Sequence, residues 1–178
     1  DKNNKLKYII KSNETGYETE STKQRIEDLR FYDPYYPSVA GVAAIGDMSV
    51  KDKYPDLYNK LKPTWEAMIH RCYNIDDKCY HLYGGKNIFV SAKWLLYSNF
   101  IEDAQLLDNW KDKLDNWKEY TLDKDLSGLG YYGPKSCIWM NKKDQVKYSG
   151  CVKKEWNERH KGVDQITELL EGIQQDPT

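Results

Sequence analysis

Hydrophobic and polar positions in the first part of the chain follow the short periods of β-strands. Residues 6–11 and 17–22 are rich in β-forming side chains and flank a polar, glycine-containing turn, which predicts a hairpin. One helical turn is predicted over residues 24–29, and a run of small apolar residues predicts another strand over residues 39–45. Together these elements predict a small β-rich unit over residues 1–50.

The apolar positions take a helical period from residue 58 onward. The residues that share one helix face are Leu61, Trp65, Met68, Ile69, Cys72 and Tyr73. An aromatic, glycine-containing turn over residues 80–85 then leads into a short predicted strand over residues 88–90. Ser91 is well placed to cap the next helix, which the spacing predicts over residues 92–107.

Local signals farther along predict the order strand, loop, strand and capped helix. The two strands are predicted over residues 120–125 and 136–140, and the glycine-containing loop over residues 127–134. Asn141 suits the N-cap of the following helix, and Asp144 completes a start that resembles a capping box.

The mixture of strands and helices predicts an α+β chain in three parts. The β-rich unit of residues 1–50 is followed by a hairpin-plus-helix domain over residues 51–150 with additional packing helices. Residues 151–178 are predicted to be a basic linker that ends in an amphipathic helix over residues 163–173. That last helix is a candidate surface for a protein partner, and the oligomeric state is left open.

Composition and charge narrow the class of protein. Charged residues make up 31% of the chain and hydrophobic residues 39%, which predicts a folded rather than a disordered chain. No apolar run approaches the roughly 20 residues of a membrane span, so we expect a cytoplasmic protein with no membrane partner.

The net charge of -1 gives no overall attraction to phosphate, so any binding of nucleic acid must depend on local clusters of cations. Residues 99–125 carry eight acids against four lysines, whereas residues 142–161 carry seven Lys or Arg against three acids. The second stretch is therefore the candidate for contact with phosphate.

Four cysteines lie at positions 72, 79, 137 and 151, without the C-x-x-C spacing of zinc ribbons. We therefore expect free thiols and no structural zinc. The alternative that stays open is a zinc site assembled in space from all four cysteines.

The segment YTLDKDLSGLGYYGPKSCIWMNKKDQ (residues 120–145) resembles the HNH segment of phage-encoded endonucleases. In that family an apolar-Asp-X-Asp strand leads through a loop to Y-S-P-E-N-C-R-W and a helix. Upstream, TWEAMIHRCYN (64–74) and YHLYGGKNIFVSAKWL (80–95) are similar to the W-x-x-M-x-x-R-C-Y and Y-G-G-x-G-I-x-V-x-x-x-W blocks of the same family. TGYET (15–19) and PSVAGVAAIG (37–46) are similar to the N-terminal region of some members.

The resemblance implies a ββα-metal unit and an endonuclease that cuts or nicks DNA with one divalent cation, Mg2+ or Mn2+. Asp123 stands at the family's metal-binding aspartate, and strand alternation makes Asp125 a second candidate ligand that faces the same way. Lys124 occupies the position of the general base, where the family has histidine. An ordinary lysine is protonated at neutral pH, so it would bind phosphate rather than accept a proton. The candidates for a replacement base are His81, Tyr80 and Tyr83.

Three further positions depart from the family pattern. The family's Asn falls at Ser136 and its Arg at Ile138, and the helix position that often supplies a second metal ligand falls at Tyr148. A non-catalytic DNA-binding or regulatory protein, in which Lys124 holds phosphate, is therefore one alternative. A phage inhibitor module that binds protein through the acidic region 99–125 and the C-terminal helix is another.

Six cations are candidates for contact with DNA. They are Arg71, Lys86, Lys93, Lys142, Lys143 and Lys147. The last three lie at the start of the helix that follows the hairpin, where unpaired backbone amides assist the binding of phosphate. Trp65, Trp94 and Trp139 lie at apolar-periodic or matched positions and are predicted to pack in the core rather than to stack on bases.

Overall fold

The computed structural model describes residues 6–145 of the chain. Lys147, Tyr148, Cys151 and the helix predicted over residues 163–173 lie outside the described residues. The described part combines helices with two antiparallel sheets of two strands each, which confirms the α+β class. It divides into two compact units, of which the first ends at Gln105 and the second begins at Leu106, so this division does not coincide with the boundary predicted at residue 50.

The first unit opens with the predicted hairpin. Strand β1 (Lys7–Lys11) pairs antiparallel with β2 (Glu18–Thr22), and helix α1 (Lys23–Glu27) follows directly. The hydroxyl of Thr22 accepts a hydrogen bond from the backbone N–H of Arg25 and thereby caps this short helix. The hairpin prediction is therefore confirmed within one residue at each strand.

Three helices supply most of the core of the first unit. Helix α2 (Ser49–Lys53) precedes the long helix α3 (Pro55–Tyr73), which begins with a proline at a position where no backbone donor is lost. The buried residues of α3 are Tyr58, Leu61, Trp65, Met68, Ile69 and Cys72. They match the predicted apolar face, apart from Tyr73 at its end.

The strands predicted over residues 39–45 and 88–90 were wrong. Val39 and Ala43 form one isolated bridge across a tight turn, and neither residue belongs to a strand. Val90 is a single bridge residue and not part of a strand, and its backbone N–H and C=O also bond to the hydroxyl of Tyr73, at 3.0 and 3.2 Å. A side chain from α3 thus holds this segment.

The single helix predicted over residues 92–107 is split. A 3-10 turn (Ala92–Leu95) comes first, and helix α4 (Tyr97–Ala104) begins after Leu96. Leu96 is extended and pairs with Ala44, so tertiary pairing interrupts the helical pattern. Ser91 makes no capping hydrogen bond, and its hydroxyl is buried without a partner, so that capping prediction was also wrong.

The second unit contains the predicted strand, loop, strand and helix start. Helix α5 (Trp110–Asp115) precedes β3 (Tyr120–Asp123), which pairs antiparallel with β4 (Ile138–Asn141), and residues 142–145 are helical. The side-chain oxygen of Asn141 accepts the backbone N–H of Lys143 at 2.9 Å, which confirms Asn141 as the cap.

The outer edge of β4 is covered by the chain segment that leads into α5. The backbone N–H of Trp139 donates to the carbonyl of Asp108 at 3.1 Å, and the side-chain amide of Asn109 donates to the carbonyl of Trp139 at 2.9 Å. Trp139, like Trp65 and Trp94 in the first unit, is completely buried, as predicted. Among residues 6–145, none of the helices combines the length and the apolar character that crossing a membrane requires.

Candidate functional site

Asp123, the predicted metal ligand, is the last residue of β3, and only 4% of its surface is exposed. One carboxylate oxygen accepts hydrogen bonds from the backbone N–H groups of Asp125 and Leu126, at 3.0 and 3.2 Å. An aspartate that binds the backbone two residues ahead forms a turn and withdraws those donors from the sheet. Asp123 therefore ends the strand and shapes the loop that follows.

The other carboxylate oxygen of Asp123 faces the helix that begins at residue 142. It accepts a hydrogen bond from Nε2 of Gln145 at 2.7 Å. Sequence reasoning missed Gln145, because the resemblance assigned the helix ligand to Tyr148. The capping box could have indicated Gln145, because a helix that starts at Asn141 carries residue 145 on its first full turn, near the hairpin that it follows.

Lys124 is buried and Asp125 is exposed, and their charged ends meet. Lys124 is 4% exposed and its ammonium pairs with the carboxylate of Asp125, whose side chain is 65% exposed. The ammonium also lies 5.6 Å from the ring centroid of Tyr132. The expected alternation, with Asp123 and Asp125 on one face, does not hold because β3 ends at Asp123 and the turn reorients the chain.

A divalent cation needs several oxygen ligands, and the carboxylates predicted to supply them are those of Asp123 and Asp125. Three N–H donors occupy the carboxylate of Asp123, and a lysine ammonium occupies that of Asp125. Residues 6–145 contain no group of three or more His, Cys, Asp or Glu side chains that is suited to a metal ion. In this arrangement both carboxylates bond within the protein, so Mg2+ or Mn2+ would have to displace some of these donors in order to bind.

The candidates for a replacement base lie in the first unit, whereas Asp123 lies in the second. His81 is exposed in a 3-10 turn (Tyr80–Leu82). Tyr83 stacks against Arg71, whose guanidinium carbon is 4.9 Å from the ring centroid.

The predicted DNA-binding cations of the first unit differ in how far they are already engaged. Arg71 donates to the carbonyl of Ala67 at 3.1 Å besides stacking on a tyrosine, and Lys93 pairs with the buried carboxylate of Asp103 at 2.6 Å. Lys86 is exposed at the end of a 3-10 turn. Lys93 would have to break an ion pair in order to bind a phosphate.

The cations at the start of the last described helix are exposed. Lys142 and Lys143 form no ion pair with any side chain in the part of the chain that the structure describes. The backbone N–H of Lys142 donates to the carbonyl of Glu119 at 2.9 Å, which fixes the first helical residue against the start of β3. These two lysines can therefore bind an anion without losing an internal partner.

Lys113 is a functional candidate that sequence reasoning missed. It is 4% exposed, and its ammonium donates to the carbonyls of Trp117 and Tyr120, at 2.7 and 2.8 Å. Burial, with a smaller contribution from Lys142, lowers the pKa of Lys113 to about 8. The spacing could have indicated Lys113, because Trp110, Lys113 and Trp117 recur at the interval of one helix face.

None of the three cysteines in the described part of the chain forms a disulfide, and Cys72 and Cys137 are buried. Burial raises the pKa of the Cys137 thiol to about 11, so at neutral pH it is protonated and is not a nucleophile. The neighbouring Ser136 hydroxyl donates to the carbonyl of Tyr131 at 2.6 Å. Both side chains support the loop between β3 and β4.

Comparison with known proteins adds no assignment to this geometry. No family model matches the chain, and no curated protein and no solved structure shows significant similarity to it.

Proposed function

We propose that this chain is an HNH-like DNA-binding protein in which the β3–β4 hairpin and the helix that begins at residue 142 contact the phosphate backbone. The observation that supports the proposal is the pair of exposed lysines, Lys142 and Lys143, on the first turn of a helix capped by Asn141. The expected partner is DNA in the cytoplasm of a bacterial cell, and on this proposal the hairpin and its helix play the part of the ββα-metal unit that the resemblance implies.

The charges of these lysines favour contact with phosphate over a purely structural role. Neither ammonium is neutralised by an acid among residues 6–145, so a phosphate would meet the full charge of each. The backbone N–H groups of Lys142 and Lys143 already donate to Glu119 and Asn141, so the attraction for phosphate comes from the two side-chain charges. Lys124 does not share this role, because it is buried and paired with Asp125.

The contacts of Asp123 make binding a better-supported function than cleavage. Its carboxylate is used by two backbone donors and by Gln145 to hold the turn and the helix in place. A buried carboxylate that accepts three hydrogen bonds from the protein has a structural role. Asp123 is then a positioning residue for the surface that carries Lys142 and Lys143.

A gel mobility shift with a duplex of mixed sequence tests the binding proposal. The double variant Lys142→Ala/Lys143→Ala should bind about tenfold more weakly than the wild-type protein at low salt, because two phosphate contacts are lost. The matched control is Lys111→Ala/Lys118→Ala, which removes the same charge from exposed positions of the same unit. Equal weakening by both double variants would show that overall charge, and not the helix start, determines binding.

Cleavage of DNA with Mg2+ or Mn2+ is the second candidate function. It is favoured by the position of Asp123 at the end of β3 and beside the helix that begins at residue 142, where the resemblance implies a metal ligand. Nicking of supercoiled plasmid that requires Mg2+ or Mn2+, stops with EDTA and is lost in Asp123→Asn would establish it. Because Asn keeps an acceptor and nearly the same shape, this substitution separates the loss of charge from the loss of fold.

A further inference from the structure

The side chain of Lys113 ends in an enclosed site built from two carbonyls and two indole rings. Its nitrogen lies 4.2 Å from the ring centroid of Trp117 and 5.0 Å from that of Trp139, besides the two bonds to the carbonyls of Trp117 and Tyr120. No acidic side chain among residues 6–145 forms an ion pair with Lys113. A buried lysine without a carboxylate is unusual and calls for a physical role.

The site matches the chemistry of a primary amine. Two carbonyl oxygens require two N–H donors on one atom, and the faces of indole rings attract the positive end of such a group. An alcohol of the same length supplies only one donor, and an alkane supplies none. The aliphatic stem of the lysine fills the remaining space, because the residue as a whole is buried.

The location of the site connects three parts of the second unit. Lys113 lies on α5, one carbonyl belongs to the first residue of β3, and one of the rings belongs to Trp139 on β4. Tyr120 is also directly opposite Asn141, the residue that caps the last described helix. A group that occupies this site therefore holds the end of the hairpin that lies next to the start of that helix.

We infer that the second unit contains a binding site for a primary alkylamine, formed by Trp117, Trp139 and the carbonyl of Tyr120, and that Lys113 is its built-in ligand. Through this site Lys113 acts as a positioning residue for the start of the helix that carries Lys142 and Lys143. The first statement is independent of the proposed function, whereas the effect on DNA binding rests on it.

Chemical rescue of Lys113→Ala tests the site, because n-propylammonium replaces the atoms that this substitution removes. At pH 7 the variant should melt about 5 to 10 °C below the wild-type protein, and Lys111→Ala on the same helix should melt at the wild-type temperature. With 50 mM n-propylammonium chloride, the variant should gain about 2 to 4 °C more than the wild-type protein gains. Equal concentrations of n-propanol or NaCl should not produce this difference.

Two outcomes would overturn the inference. One is rescue by n-propanol as large as rescue by n-propylammonium, since this would make the site an ordinary apolar cavity. The other is a melting temperature of Lys113→Ala equal to that of Lys111→Ala.

A measurement on the wild-type protein keeps the inference testable if Lys113→Ala does not fold. Acetylation of the native protein, followed by mass spectrometry, should modify Lys113 about tenfold or more slowly than the exposed Lys111. Similar rates at the two positions would contradict an enclosed amine site.

DNA affinity provides the readout for positioning. Lys113→Ala should weaken the mobility shift, and n-propylammonium should restore it relative to NaCl at the same concentration. If the wild-type protein itself fails to shift DNA, the proposed function is wrong while the thermal rescue still decides the amine site. Restoration of the fold by the amine without restoration of DNA affinity would overturn the positioning role alone.

Discussion

Gln145 donates a hydrogen bond to the carboxylate of Asp123 at 2.7 Å and so joins the first turn of a helix to the end of a strand 22 residues earlier. The same carboxylate caps the turn after β3 through the backbone N–H groups of Asp125 and Leu126. One buried side chain thus fixes a strand end, a turn and a helix. Its removal should disturb all three.

Asp123→Ala is expected to lower the free energy of unfolding by about 2 to 4 kcal/mol, because two backbone donors and one amide lose their acceptor in a buried place. Asp123→Asn should lower it by only about 1 kcal/mol, since the amide oxygen still accepts the backbone bonds. Urea denaturation followed by circular dichroism measures both values. A similar loss in the two variants would show that the charge, rather than the acceptor geometry, stabilises the turn.

Gln145→Glu is expected to destabilise the protein at pH 7 more than Gln145→Ala does, because it sets a second carboxylate against Asp123. The alanine variant should lose about 0.5 to 1.5 kcal/mol, the usual contribution of one hydrogen bond. Thermal melts of both variants, with and without Mn2+, check this order. Stabilisation of Gln145→Glu by Mn2+ would reveal that this corner can hold a cation once it has two carboxylates.

The pKa of Lys113 leads to a pH dependence of stability with a definite sign. Burial lowers this pKa to about 8 in the folded protein, below its ordinary value of 10.5, so between these pH values the unfolded chain holds more protons. Stability due to this group therefore rises as the pH rises from 8 towards 10.5. From pH 8 to pH 10, the free energy of unfolding of the wild-type protein relative to Lys113→Ala should increase by about 2 kcal/mol. A constant difference would contradict the lowered pKa.

The cysteines should react with iodoacetamide in an order set by their surroundings. Cys137 is buried and its pKa is raised to about 11, whereas Cys79 is partly exposed. At pH 8 the native protein should therefore be alkylated at Cys79 well before Cys137, because the thiolate is the reactive form. Peptide mapping by mass spectrometry reports the order, and alkylation of Cys137 first would show that the loop between β3 and β4 opens readily.

The elements that the sequence predicted well are those set by neighbouring residues. The first hairpin follows from alternation around a turn, and the cap at Asn141 follows from its side chain and from what comes next. The buried face of α3 follows from helical spacing, with Trp65 as its most buried aromatic residue. None of these predictions needed knowledge of distant contacts.

The predictions that were wrong depended on partners far away in the sequence. Val90 forms only a single bridge and is held by the hydroxyl of Tyr73, and Leu96 interrupts a helix because it pairs with Ala44. The expected facing of Asp125 required β3 to continue, whereas Asp123 ends it. Side chains that compete with backbone pairing leave little trace in periodicity.

In the candidate site, too, residues recognisable from local sequence were predicted and residues whose roles depend on distant contacts were missed. The sequence singled out Asp123 and the exposed lysines because residue type and position were enough to suggest their chemistry. It did not single out Gln145 or Lys113, because their roles depend on a carboxylate and on carbonyls that the fold brings to them. A lysine among tryptophans at helical spacing is the pattern by which such an amine site could be found elsewhere.

The most direct test of the proposed function is the salt dependence of binding to duplex DNA, measured by fluorescence anisotropy. Each phosphate contact contributes about 0.9 to the slope of the logarithm of the binding constant against the logarithm of the salt concentration. The double variant Lys142→Ala/Lys143→Ala should therefore have a slope shallower than that of the wild-type protein by about 1.8, while Lys111→Ala/Lys118→Ala keeps the wild-type slope. Identical slopes for the wild-type protein and the Lys142→Ala/Lys143→Ala variant, or no binding by the wild-type protein at low salt, would contradict the account.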